Sequence, residues 1–198
     1  MSAITNHLYE ISVAASKLGI DLASNMNPAA TPEEIESETK ELPFQLPSEV
    51  LDLYRWKNGV LLRGQQCETR MVPRFYFMPL QRSVASTRFR ISTVGSDYSE
   101  WRKSWYSLCE DLAGDHYALE VSRGEESCGR IYSVQGVRDP FPAFWSFEMM
   151  LRSILECYRQ GAYYIDEDGC LDEDVEICDP ICRQFNNGLS PYKYYELS

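Results

Sequence analysis

The sequence predicts one domain that mixes helices and strands, with helices first, short strands in the middle and a long helix near residue 150. Three observations carry this. Apolar residues recur at spacings of three and four before residue 60 and again after residue 145. Between those stretches, short aromatic or alternating segments are bounded by glycine, proline or charged turns. The 198 residues are enough for one domain with a real core, and neither an internal repeat nor a low-complexity linker divides them.

Leu8, Ile11, Ala15, Leu18 and Leu22 form one apolar stripe, which predicts an amphipathic helix over about residues 3–23. Asn25-Met-Asn-Pro28 ends it. Residues 1–30 therefore read as an N-terminal helical extension, packed on the main body or else serving as a detachable or dimerising arm. Thr31-Pro32-Glu33-Glu34 starts a second helix: Thr31 caps, Pro32 suits the first helical position and Glu34 completes a capping box. It runs to about Lys40 with Ile35 inward, and Pro43 and Pro47 prevent its continuation. From Pro47 a third helix presents Val50, Leu51, Leu53, Tyr54 and Trp56, with Asn58-Gly59 as its stop. Val60 to Leu62 then reads as a first strand.

Phe75 to Met78 reads as a strand ended by Pro79, and Leu80 to Arg90 as a helix with Leu80, Val84 and Phe89 on its period. Ser96 to Lys103 reads as a loop or short helix. Trp105 to Leu108, Gly114 to Val121 and Gly129 to Val134 read as strands, the last two paired across a charged loop, Ser122 to Cys128. Trp145, Phe147, Met150, Leu151, Ile154, Leu155 and Tyr158 predict a helix over about 145–160, stopped by Gly161. In the tail, Tyr163-Tyr-Ile165 is extended, Asp168-Gly169 suits a tight turn and Asn186 to Pro191 is loop.

The net charge of −11 argues against nucleic acid as a direct partner and is compatible with a basic protein partner. The charge is uneven. Arg55 to Lys103 holds ten Lys/Arg against three Asp/Glu, and Asp166 to Asp179 holds eight Asp/Glu and no Lys/Arg. No run approaches the roughly 18 apolar residues of a membrane span. The first 22 residues lack a basic n-region, so they do not read as a secretory signal. The seven cysteines have no C-x-x-C spacing, which favours free, mostly buried thiols over a metal site or a disulfide framework. A cytoplasmic protein without cofactor or metal is the expectation.

Catalytic signatures are missing. No P-loop, G-x-G-x-x-G, H-E-x-x-H or G-x-S-x-G is present. Of the two histidines, His7 reads as exposed on its helix and His116, at a strand entrance, as structural rather than as half of a Ser–His or Cys–His pair. Tyr164 stands where a calcium loop counted back from Gly169 needs its first ligand, so Asp166-Glu167-Asp168 reads as an acidic turn. Two groups remain as candidate partner-binding residues. Trp101 and Trp105 flank Arg102-Lys103, a combination common both in core or edge packing and in binding hot spots. Asp166, Glu167, Asp168, Asp172, Glu173 and Asp174 form an acidic surface able to steer a charged partner.

Ile35, Glu38, Leu46-Pro47, Leu51, Tyr54 and Asn58-Gly59, followed by Phe77-Met-Pro79-Leu80, Gly114-Asp115 before Tyr117-Ala-Leu119, Gly129-x-Ile131-Tyr132 and Trp145-x-Phe147-x-x-x-Leu151, resemble the SUKH superfamily, typified by the yeast cell-wall-assembly regulator. The resemblance covers about residues 31–160 of a domain spanning 31–198, leaving the extension at 1–30 and an acidic tail at 161–198. It implies an α+β fold, one mostly antiparallel, curved sheet flanked by helices. It also implies a non-catalytic protein-binding module: an immunity-type protein that neutralises a toxin, whose basic domain would be the partner, or a regulator, or else an intracellular scaffold or assembly factor. The matched residues are apolar or turn-forming, so they carry the fold further than any site.

Overall fold

Capping chemistry sets the first helices. In a computed structural model, the described residues are 2–60, 70–95, 100–111, 113–121, 129–136 and 138–193. The helices α1 (Ala3–Ser16), α2 (Leu22–Asn25), α3 (Pro32–Thr39) and α4 (Ser48–Trp56) come first. The single helix expected over 3–23 is two, because Gly19 turns the chain at φ +82° and Asp21 then caps α2 by accepting from Ser24 N. The capping box of α3 is closed: Glu34 N donates to Thr31 Oγ1 at 3.2 Å and Thr31 N to Glu34 Oε2 at 2.8 Å.

The Asn58-Gly59 turn fastens three segments. Gly59 lies at φ +67°, and a Cβ there would fall 2.3 Å from Pro79 N, so both conformation and space demand glycine. Asn58 Oδ1 accepts from Leu80 N at 2.8 Å, and Asn27 Nδ2 donates to Asn58 O at 2.9 Å. Val60 makes an isolated antiparallel bridge with Met26; Leu61 and Leu62 of the expected strand lie outside the described residues.

The sheet is an antiparallel meander of five strands in sequence order, β1 (Tyr76–Phe77), β2 (Trp105–Glu110), β3 (His116–Glu120), β4 (Ile131–Gln135) and β5 (Arg138–Phe144), so the fold is α+β. Helix α5 (Leu80–Ser92) follows β1 and lies against β2. Strand β5 is not legible in the sequence because it contains Pro140 and Pro142. It forms an edge of the sheet, where a missing N–H costs no ladder bond. The charged loop expected at 122–128 and residues 96–99 of the expected loop at 96–103 lie outside the described residues.

Helix α6 (Phe147–Arg159) starts after the Ser146 cap. Trp145, expected on its apolar face, instead follows β5 and is 43% exposed. Phe89 also departs from expectation: it is exposed, and α5 turns Leu80, Ser83, Val84 and Thr87 inward. The tail forms the hairpin β6 (Tyr163–Ile165) and β7 (Leu171–Glu173), with the expected turn at Gly169, φ +77°, and then an unexpected helix α7 (Val175–Phe185) that holds Pro180 internally.

One buried cluster joins the sheet's inner face, Tyr106, Leu108, Tyr117, Leu119, Ile131 and Phe141, to the helices. Leu8, Ile11 and Ala15 of α1 are fully buried in it, with α1 packed on α6, so the N-terminal helix is part of the core. A second, smaller cluster, Trp101, Trp105, Ala118 and Tyr132, occupies the outer face. Cys109, Cys157, Cys178 and Cys182 are free buried thiols, but Cys170 is disulfide-bonded, against the expectation of free thiols. Pairing requires Cα atoms within about 7 Å in space, which spacing along the chain does not report. Cys67 and Cys128 lie outside the described residues. No described helix is long and apolar enough to cross a membrane.

Candidate functional site

Three arrangements of polar and aromatic side chains stand out. The first surrounds His116. Strand β1 is too short to pair with all of β2, and the ladder shifts between Ser107 and Cys109. Helix α5 satisfies the exposed backbone instead: Ser107 N donates to Thr87 Oγ1 at 2.9 Å, and Ser83 Oγ donates to Ser107 O at 2.5 Å. His116 is buried beside them. Its Nδ1 lies 2.8 Å from Ser107 Oγ and its Nε2 meets Arg90 Nη2. An arginine only donates, so Nε2 accepts and Nδ1–H donates to the serine. Such a ring does not take a proton from Ser107. Burial, with Arg90 and Arg82 nearby, pushes the His116 pKa down to about 3. The pair is a buried hydrogen bond with the imidazole as donor to the serine.

The second arrangement is the acidic tail, which the structure divides. Glu167 and Asp168 are exposed on the β6–β7 turn. Asp166 Oδ1 accepts from Asp168 N at 3.0 Å and Cys170 N at 2.7 Å and so shapes that turn. Asp172 accepts from the Tyr164 hydroxyl at 3.4 Å, and exposed Asp174 caps α7 by accepting from Glu176 N at 3.0 Å. Glu173 points the other way. Tyr192 donates to its Oε2 at 2.5 Å, beside a cavity of about 30 Å³ that Arg74, Tyr117, Gln135 and Tyr163 also line. That volume holds about one or two waters, so it is no substrate pocket. Burial pushes the Glu173 carboxyl up to about 7, while the Tyr192 hydrogen bond and Arg74 pull the other way. Five of the six acidic candidates thus share the hairpin surface, and half-buried Glu173 turns its carboxylate toward Tyr192.

The third arrangement lies on the outer face of the sheet. Trp101 and Trp105 are packed edge to face at 5.6 Å, and Trp105 stacks on Tyr132 at 4.7 Å. Both tryptophans are buried, so neither ring is itself a contact surface, and among the described residues neither indole N–H has an acceptor. What covers them is charged. The Arg102 guanidinium lies 5.0 Å from the Trp105 ring centre and 5.2 Å from that of Tyr132, and Arg130 lies 4.7 Å from that of Trp145. Sequence reasoning found the tryptophans but missed Arg130, Tyr132 and Trp145. The alternation of Arg130, just before β4, with Tyr132 and Val134 on it is the available signal, since alternate residues share one face.

Residues 29–153 match the SMI1 / KNR4 family (SUKH-1). The chain belongs to that family. No curated protein matches it. The SUKH-1 span runs from just before α3 into α6, so α1, α2, the end of α6, β6, β7 and α7 lie outside it. Both the hairpin surface and Glu173 therefore belong to what this chain adds to the SUKH-1 core. The outer-face cluster lies within the core itself. Membership is consistent with an immunity-type or regulatory protein-binding module.

Proposed function

We propose that the chain is a non-catalytic SUKH-1 module that binds a protein and neutralises or controls it, in the manner of an immunity or regulatory protein acting in the cytoplasm. The observation that carries this is family membership combined with a locked His116: the one Ser–His pair among the described residues has its imidazole donating to the serine and its second nitrogen held by an arginine. The exposed carboxylates of the β6–β7 hairpin, Glu167, Asp168 and Asp174, suit a basic partner such as a toxin domain that holds nucleic acid. Asp166 and Asp172 support that surface, and Glu173 does not reach it.

The test is affinity capture from the native organism at low salt, followed by kinetics on the recovered protein. A Glu167→Gln/Asp168→Asn/Asp174→Asn variant keeps the α7 cap and is expected to associate several-fold more slowly at low ionic strength, with the difference fading as salt rises. Recovery of no stable partner by the unmodified chain would overturn the reading.

A further inference from the structure

We propose that the groove between the α1–α2 turn and the β6–β7 hairpin docks a basic segment of the protein partner, seating one large apolar side chain that lysines or arginines flank. The inference rests on the reading that the chain binds a basic protein, and it names the socket and what fills it.

The hairpin register builds one wall. Ile165 pairs with Leu171 and Tyr163 with Glu173, so these four side chains share one face, and Tyr164 and Asp172 share the other. Tyr163 and Leu171 are buried on the first face, yet Ile165 remains 38% exposed. The opposite wall is Leu18, Ile20 and Asp21, where the chain leaves α1 through the left-handed Gly19. Between the walls lies an open groove of about 330 Å³, at the small end of the range that binding clefts occupy. Gly169 also lines it, and a Cβ there would meet nothing within 4 Å. An inserted apolar side chain would remove the exposed part of Ile165 from water. The hairpin wall is set in advance. Asp166 Oδ1 holds the turn by accepting from Asp168 N and Cys170 N, and Cys170 is disulfide-bonded. A preorganised socket loses little conformational freedom on binding.

Charge gives the sign of the occupant. Asp21 lines the groove, and its carboxylate, which accepts from Ser24 N and Oγ, stays exposed. Asp166, Glu167 and Asp168 sit in the turn between Ile165 and Gly169. No lysine or arginine occurs between Arg159 and Arg183, and those two are paired with Glu10 and Asp179. On the α1–α2 side, Lys17 precedes Leu18, and Lys57 donates to Ala23 O at 2.9 Å. The undescribed residues hold two arginines against five carboxylates, so they are acidic as a group. Four carboxylates against two lysines around an apolar socket select a segment with positive charges on either side of an apolar anchor.

The experiment uses the full chain and three synthetic ten-residue peptides. The first places lysines around a central leucine, the second replaces the lysines by glutamine, and the third keeps the lysines and replaces the leucine by serine. Binding is followed by the Ile165 methyl resonances at low salt. The first peptide is expected to bind saturably and to move those resonances, and each of the others to bind at least tenfold more weakly. Ile165→Thr keeps a β-branched residue on the strand, and Asp21→Asn keeps the α2 cap. Together they are expected to weaken the first peptide at least tenfold, with Asp21→Asn alone weakening it severalfold. Absence of saturable binding, equal affinity for the serine peptide, or equal affinity in the folded double variant overturns the proposal. So does a low-salt oligomer in sedimentation that Ile165→Thr abolishes, since the occupant is then a second copy. Capture of a native partner with undiminished yield by Asp21→Asn/Ile165→Thr removes this groove and leaves the protein-binding reading standing. Failure of the unmodified chain to capture any partner removes that reading and the groove's role with it.

Discussion

The two faces of the five-stranded sheet are made by the same strands, yet they are closed in different ways. On the inner face, Tyr106, Leu108, Leu119 and Ile131 are fully buried in one cluster with the helices. On the outer face, Trp105 and Ala118 are just as buried, but beyond α5 an arginine lies over the aromatic rings. A long cationic side chain excludes water from a ring with its stem and plane while its charge stays wet. Closing a face with helices yields stability alone. Closing it with guanidinium groups yields less stability and leaves charged side chains in contact with water.

The largest expected effect breaks the inner face. Leu119→Ala should lower unfolding free energy by about 2–5 kcal/mol in urea titration, because a fully enclosed site collapses little around the lost methyls. The next two predictions compare the buried titratable groups, which have opposite signs. His116 belongs to the outer face. Below its ordinary pKa of 6.5 the unfolded chain takes up a proton that the folded chain refuses until about 3. Its contribution is thus present above 6.5 and is lost as pH falls through that window, by about 3 kcal/mol at pH 4.5. Glu173 is half-buried beside the cavity. Above pH 4.5 the unfolded chain releases a proton that the folded chain keeps until about 7. Its contribution is full below 4.5 and is lost as pH rises through 7, by about 2–3 kcal/mol. Between 4.5 and 6.5 the two trends oppose each other. Stability–pH profiles of His116→Gln and Glu173→Gln should therefore tilt in opposite directions, and parallel profiles would contradict both assignments. The smallest effect sharpens the contrast. Arg102→Ala should cost only about 0.5–1 kcal/mol, measured by the same titration, since it removes a cation–ring contact at an accessible site.

How far the sequence foretold these features depends on whether the signal was local. The Thr31–Glu34 capping box is local chemistry and is realised as read; the helix does end before Asn58-Gly59, but its cap is Lys57 in extended backbone, and the positive φ of Gly59 belongs to the turn against Pro79. Leu80–Ser92 and Phe147–Arg159 follow apolar periodicity. Strand β5 and helix α7 were hidden by Pro140, Pro142 and Pro180, whose cost depends on position within the sheet or helix. Of the candidate site residues, Trp101 and Trp105 suit both core or edge packing and a recognition surface; they are buried through packing on Ala118 and Tyr132 of neighbouring strands, which leaves no periodic trace in their own segment. Glu173 was grouped with its acidic neighbours because alternation along β7, not composition, turns it inward toward Tyr192.

The fastening at Asn58-Gly59 has a kinetic side. Its ties to Asn27 and Leu80 span 31 and 22 residues, whereas the Arg159–Glu10 contact that helps join the two ends of the chain spans 149. Closing a loop costs free energy that grows with the logarithm of its length, so the short ties are favoured to close first. The junction of α4, β1 and α5 would then act as the point from which the rest of the fold condenses. Gly59→Ala should slow refolding in stopped-flow experiments, whereas Leu119→Ala should act mainly on unfolding.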